Sequence, residues 1–167
     1  MLRLMRNLWV CFGLCVVSAL AWGDEAAVLP VDLSVLSESD WSGELVYLDY
    51  GSGKDDRIPV SLHFEQASSK KIVYRIRFPR ESQYNEKSKL KISAKGKKLN
   101  GERVVSRMVD IDGKTTIVTQ SRGKDDGRPA DIRTTYALSA DRLVITKEVR
   151  FESEDYFRRN AYELTRQ

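Results

Sequence analysis

The sequence predicts an all-β domain, an antiparallel up-and-down (meander) barrel of about nine strands, and three observations lead there. Between Trp41 and Arg166 apolar and polar residues alternate in strand-length segments separated by turn signals, the period of a half-buried strand. One hairpin in this stretch checks its own register. With Ala140 and Asp141 as a two-residue turn, Leu138 faces Leu143, Tyr136 faces Ile145 and Ile132 faces Val149, while Arg133 meets Glu148 and Asp131 meets Arg150. A slip of one residue would turn every side chain to the wrong face, and here apolar meets apolar and charge meets counter-charge. The third observation is that no long helical pattern interrupts the run. Strands joined to their sequence neighbours by short turns give meander order, and closure removes the exposed sheet edges. A β-sandwich or a strongly curled open sheet is the alternative, a sandwich needing longer crossovers.

The elements follow in order. Arg3 and Arg6 precede an apolar run from Leu8 to Leu20 and the small-residue sites Ala19-Leu20-Ala21 and Ala21-Trp22-Gly23, the layout of a secretory signal peptide over residues 1–23. The run of about 13 residues is short for a membrane span. Cleavage there removes Cys11 and Cys15, leaving an exported chain without thiols, so neither disulfides nor thiolate metal sites support the fold. Residues 24–40 form a lead segment with room for one helical turn, whose apolar residues Leu33, Val35 and Leu36 plug one end of the sheet. Residues 41–167 form a single β-barrel domain.

Strands are expected at about 41–50, 57–66, 71–79, 88–94, 102–111, 114–122, 131–139, 142–151 and 157–166. Ile58, Val60, Leu62 and Phe64 share one face, as do Ile72, Tyr74, Ile76 and Phe78. Pairing Leu62 with Tyr74 also sets Glu65 against Lys71. Asp112-Gly113 and Lys95-Gly96 are tight-turn signals. At the C-terminus, pairing Phe151 with Tyr156 places Lys147 opposite Asn160 and Val149 opposite Arg158, and puts Arg159 in an outward row with Arg133 and Glu148.

Composition narrows the function. Lys and Arg number 28 against 24 Asp and Glu, and 41% of the chain is apolar; this mixed charge is no nucleic-acid-binding field. His63 is the only histidine, opposite the apolar face of its strand. A Cys/His dyad and a conventional zinc site are therefore unsupported, and no nucleophile elbow or phosphate-binding glycine motif occurs. The Gly-Lys-Asp-Asp loops at Gly53 and Gly123 lack the alternating oxygen ligands of a calcium loop. A non-catalytic protein with no cofactor and no metal is expected. Lys87, Lys89 and Lys91 alternate with Ser88, Leu90 and Ile92; they protect an edge strand or make weak contact with an anionic membrane surface.

The chain resembles the calycins, the lipocalin and fatty-acid-binding-protein group of meander barrels, through Trp41-Ser42-Gly43 at the start of the first strand, successive hairpins over about 125 residues, and the Arg-rich closing strand from Arg158 to Arg166. The resemblance implies binding of a small apolar or amphiphilic molecule inside the barrel, with Arg158 and Tyr162 meeting an acidic head group. Read from the residues alone, Tyr136, Lys147, Arg158, Asn160 and Tyr162 put a few polar groups on an otherwise apolar face, which suits a ligand cavity. The structural reading of the same residues has Arg158 stacking on Trp41 to tie off the barrel base, with Lys147 reaching outward. The functional expectation is an exported, periplasmic or secreted carrier of a small, amphiphilic ligand with an anionic head group. The alternative is a cell-envelope accessory protein that binds a protein or glycan through its outer surface around a filled core.

Overall fold

A computed structural model describes residues 26–49, 51–152 and 154–167; the expected signal peptide lies outside the described residues. Among these the chain forms ten strands: β1 (Ser39–Asp49), β2 (Lys54–Ser68), β3 (Lys71–Arg77), β4 (Glu86–Lys91), β5 (Lys98–Leu99), β6 (Glu102–Val109), β7 (Thr115–Asp125), β8 (Arg128–Leu138), β9 (Arg142–Arg150) and β10 (Phe157–Arg166). They build one antiparallel sheet in the order β4-β3-β2-β1-β10-β9-β8-β7-β6-β5. Its two ends meet through an Ile92–Leu99 bridge and a hydrogen bond from the Asn100 amide to the Lys91 carbonyl at 2.9 Å. The sheet is thereby nearly closed into a calycin-like meander barrel. Nine strands were expected; the tenth is the two-residue β5, too short to show a period in a lysine-rich turn.

The 131–150 hairpin has the register read from its sequence, from Asp131↔Arg150 to Leu138↔Leu143. Two other pairings differ. Leu62 pairs with Ile76 rather than Tyr74, and Glu65 pairs across to Val73, its carboxylate held by Arg75 rather than Lys71. The β2–β3 turn is tighter than the sequence suggests and carries an irregularity between Gln66 and Ser68. The shift is two residues, so every inward side chain stays inward. In β10 a register break between Arg158 and Asn160 leaves Arg159 as the extra residue and pairs Arg158 with Glu148. A bulge of this kind re-aims side chains; Arg158 faces outward and Arg159 leaves the Arg133–Glu148 row.

The lead segment plugs the Trp41 end, here called the floor. A 3-10 helix, Pro30–Leu36, buries Leu33 and Leu36 against Trp41, Leu62, Phe64 and Leu164. Pro30 suits the first helical position because its missing N–H has no partner to lose there. Asp32, 5% exposed, accepts two hydrogen bonds from Arg107, at 2.7 and 2.6 Å, and one from the Leu29 amide at 2.7 Å. The Trp41 indole donates to Ser39 Oγ, which donates to the Leu36 carbonyl. Two glycines are needed by close approach: a Cβ on Gly43 would stand 2.0 Å from the Glu163 carbonyl oxygen, and one on Gly96 2.5 Å from that of Val28. The guanidinium over Trp41 belongs to Arg166, 5.8 Å from the ring centroid. Arg158 therefore does not tie off the base; it sits at the opposite end of β10.

Candidate functional site

Period two decides which side chains line the barrel. On β1 the inward set runs Trp41, Gly43, Leu45, Tyr47, and its partners on β2 are Leu62, Val60, Ile58 and Asp56. On β3 and β4 the inward pairs are Ile72–Leu90, Tyr74–Ser88 and Ile76–Glu86. Across the barrel, Ile117–Tyr136–Ile145–Tyr162–Leu45 is one continuous inward row, and Thr119–Thr134–Lys147–Asn160 is the next.

Floor and upper wall differ in burial. Leu143 and Val149, on the same face of β9, are fully buried, yet Ile145 between them is only half-buried. Leu45, Ile58, Tyr74 and Tyr162 are half-buried as well and pack against the apolar cluster from its edge. Inward residues at mid-strand that keep solvent-accessible surface point to open space in the lumen, since a close-packed core would bury them.

Four of the five residues singled out from the sequence lie on this inner face. Tyr136, 6% exposed, and Tyr162 flank Ile145 on either side. Asn160 and Lys147 stand opposite one another one row higher. The Lys147 ammonium donates to Asp125 Oδ1 at 2.8 Å, and Arg159 lies 3.2 Å from Asp125 Oδ2. Arg158, outward, pairs with Asp55 on β2. The bulge that the alternation could not reveal thus separates Arg158 from the other four.

Sequence reasoning missed the carboxylates of the wall. Glu86 is inward, and it shares parity with Ser88 and Leu90 in a strand that begins two residues earlier than the pattern suggests. Glu102, on the Val104 side of β6, accepts from the buried Thr119 hydroxyl. The sequence puts Asp125 in the Gly-Lys-Asp-Asp loop at Gly123, but the turn is Asp126-Gly127, both at positive φ, and Asp125 is the last residue of β7, 7% exposed. The Asp-Gly pair, a type I′ hairpin signature, was the readable clue.

The wall hydroxyls are kept neutral. Burial pushes the Tyr162 phenol up to about 12, reinforced by the Glu86 carboxylate and Tyr74. Burial likewise raises Tyr74, though Ser88 hydrogen-bonds it. Tyr136 is raised by burial first and then by Glu102 and Tyr74, with an opposing hydrogen bond from Asn100. Tyr74 and Tyr162 are thus within electrostatic reach of Glu86, and Tyr136 within reach of Glu102.

The ring has a seam. The β6–β7 ladder ends at Arg103↔Gln120, and from Ser121 to Asp125 β7 pairs only with β8. Among the described residues β4 is bonded across the seam only at its lower end, where the Asn100 side chain also accepts from the Lys91 amide at 2.8 Å. Above the Asn100-Gly101 hairpin tip the upper parts of β4 and β7 are therefore not laddered to each other. Glu86 and Ser88 line the β4 side of this gap, and Glu102 lies on its β6 side.

A ring of neighbour-paired strands, plugged at one end and polar along its upper inner wall, defines a calycin-like barrel. No protein-family model and no curated protein matches the chain. Among solved structures it is similar to Rv2717c from M. tuberculosis, with a TM-score of 0.57 at 15% identity over 85% of this chain and 99% of that one. A single-site mutant of the fluorescent protein UnaG superposes with a TM-score of 0.41 at 13% identity, covering 81% of this chain and 97% of that one. The first of these likenesses supports the fold.

Proposed function

We propose that this protein is an exported, non-catalytic carrier or binding protein for a small amphiphilic molecule held inside the barrel. The observation that carries this reading is the partly exposed inner wall at mid-height, above a floor sealed by Trp41 and the 3-10 helix. Apolar Leu45, Ile58 and Ile145 offer contact for a hydrocarbon body, while Tyr74, Tyr136, Tyr162 and Asn160 supply a few hydrogen-bonding groups, the usual make-up of a small-molecule site. Export rests on the N-terminal leader pattern, and the mass of the mature protein recovered from outside the cytoplasm tests it: loss of residues up to Ala21 or Gly23 is the expected result.

Ligand uptake is tested with an environment-sensitive apolar dye and by native mass spectrometry of freshly purified protein. The dye is expected to brighten on binding and to be displaced by amphiphiles. Ile145→Trp, which fills the lumen, is expected to abolish that signal while the far-UV spectrum stays that of a β protein. Ile145→Ala, which enlarges the space, should retain uptake. Absence of dye binding together with absence of any copurifying molecule overturns the proposal.

A further inference from the structure

Resting on that carrier reading, we infer that the ligand's polar end is an organic cation, an ammonium-type head group, received between Glu86 and Glu102 against the rings of Tyr74 and Tyr162. The argument begins with charge. Among the described residues, the cations on the inner face below the rim are already matched: Lys147 and Arg159 share Asp125, and Arg107 is held by Asp32. Arg158 is outside the barrel, on Asp55. Lys87, Lys89 and Lys91 are exposed on the outer face of β4, by strict alternation with inward Glu86, Ser88 and Leu90. An acidic head group entering the lumen would meet no uncommitted cation among the described residues.

The carboxylates stand differently. Glu86 is exposed on the inner face of β4, with no counter-ion against it among the described residues. Glu102 accepts from the Thr119 hydroxyl, a neutral partner that leaves its charge uncompensated. They border the seam from opposite sides, so a head group lodged there lies between two negative charges.

The aromatic lining points the same way. Two partly exposed tyrosines, Tyr74 and Tyr162, face the lumen from β3 and β10, and their rings attract a cation through the negative face of the π-system. Their hydroxyls stay protonated because burial first, and also the nearby Glu86 carboxylate, disfavours a further negative charge there. An ammonium centre with an alkyl body satisfies the carboxylates, the rings and the apolar wall at once.

The test is competition for the bound dye by three probes of equal chain length and different head group: dodecyltrimethylammonium, dodecanoate and dodecanol, each below its aggregation limit. The cation is expected to displace dye at a concentration about tenfold lower than the carboxylate, the scale expected for partly solvated charge contacts. Glu86→Gln alone should shrink that ratio, and Glu86→Gln with Glu102→Gln should reduce it to about unity, with dodecanol unchanged in all forms. Glutamine at 102 retains an acceptor for Thr119, and Glu86→Gln alters an exposed side chain, so both variants are expected to fold. Equal displacement by both ions, or preference for dodecanoate, overturns the cation assignment and leaves the carrier reading standing. A cation preference that persists in the double variant overturns the assignment to Glu86 and Glu102. Failure of the dye and of all three probes to bind overturns the carrier reading itself.

Discussion

The floor of the barrel and the seam between β4 and β7 are built from similar residue types, yet they satisfy them in opposite ways. At the floor the polar groups are enclosed and matched: Asp32 takes three hydrogen bonds, the Trp41 indole reaches Ser39, and the Arg166 guanidinium donates to the Val35 carbonyl at 3.2 Å. Around them Leu33, Leu36, Trp41 and Phe64 are no more than 2% exposed. At the seam, strands that could pair do not, and carboxylates and hydroxyls face open space. On the proposed carrier reading, the difference assigns stability to one end and recognition to the other. Buried polar groups hold a fold together when every one has a partner, whereas a binding wall must keep some capacity unspent.

The sharpest way to break this comparison is Trp41→Ala. Removing a fully buried indole from the floor is expected to cost about 3–5 kcal/mol, the range for large aromatic truncations, and to free Ser39 Oγ of a donor. Denaturant unfolding at fixed temperature measures it. A loss below about 1 kcal/mol would show that the floor is not the stabilising end. In protein that remains folded in the cold, dye uptake should persist, since Trp41 lies below the half-open wall.

Asp125→Asn probes the intermediate zone, where a buried carboxylate holds two inward cations. The variant leaves Lys147 and Arg159 without their shared anion, at an expected cost of about 1–3 kcal/mol. That is less than for Trp41→Ala, because the Lys147 and Arg159 side chains are 32% and 30% exposed and can turn to water. The same substitution leaves positive charge uncompensated in the lumen, so dodecanoate should gain on dodecyltrimethylammonium in the competition assay. A stability loss with no change in that ratio would place Asp125 outside the field felt by the ligand.

These contrasts also explain what the sequence could carry. The 131–150 hairpin was legible to the residue because its two strands keep strict alternation through a two-residue turn, and both faces report on the register. With it came Tyr136 and Lys147, and, through the part of β10 beyond its bulge, Asn160 and Tyr162. Arg158 was misplaced because one extra residue at Arg159 shifts the face of everything before it, and no pattern of hydrophobicity marks that residue in Phe157-Arg158-Arg159-Asn160. The Trp41 partner was misassigned for a related reason: several arginines occupy β10, and only the β1–β10 register, Trp41↔Arg166, selects among them. Glu86 and Glu102 escaped because an acidic residue at a strand end looks like a solvated turn until the opposite wall is in place. Lys98–Leu99 is a strand only by virtue of the neighbours that close on it.

The smallest expected effect is a pH dependence, and its sign follows from the wall tyrosines. Burial raises the Tyr162 phenol to about 12 from the ordinary 10.0, and Tyr74 and Tyr136 shift in the same direction. In the unfolded chain each phenol loses its proton near its ordinary value, while the folded barrel holds it to higher pH. Below that ordinary value the contribution is fully present; as pH rises toward the folded-state value the unfolded state is increasingly favoured and stability falls. The unfolding midpoint in urea is therefore expected to decline between about pH 10 and pH 12, and some phenolate absorbance should appear only as the protein unfolds. Tyr162→Phe should flatten the decline without moving the midpoint near neutral pH. A decline unchanged in Tyr162→Phe would mean that the open wall leaves this hydroxyl in contact with bulk water, and the contrast between a sealed floor and a partly desolvated binding wall would then have to be drawn higher in the barrel.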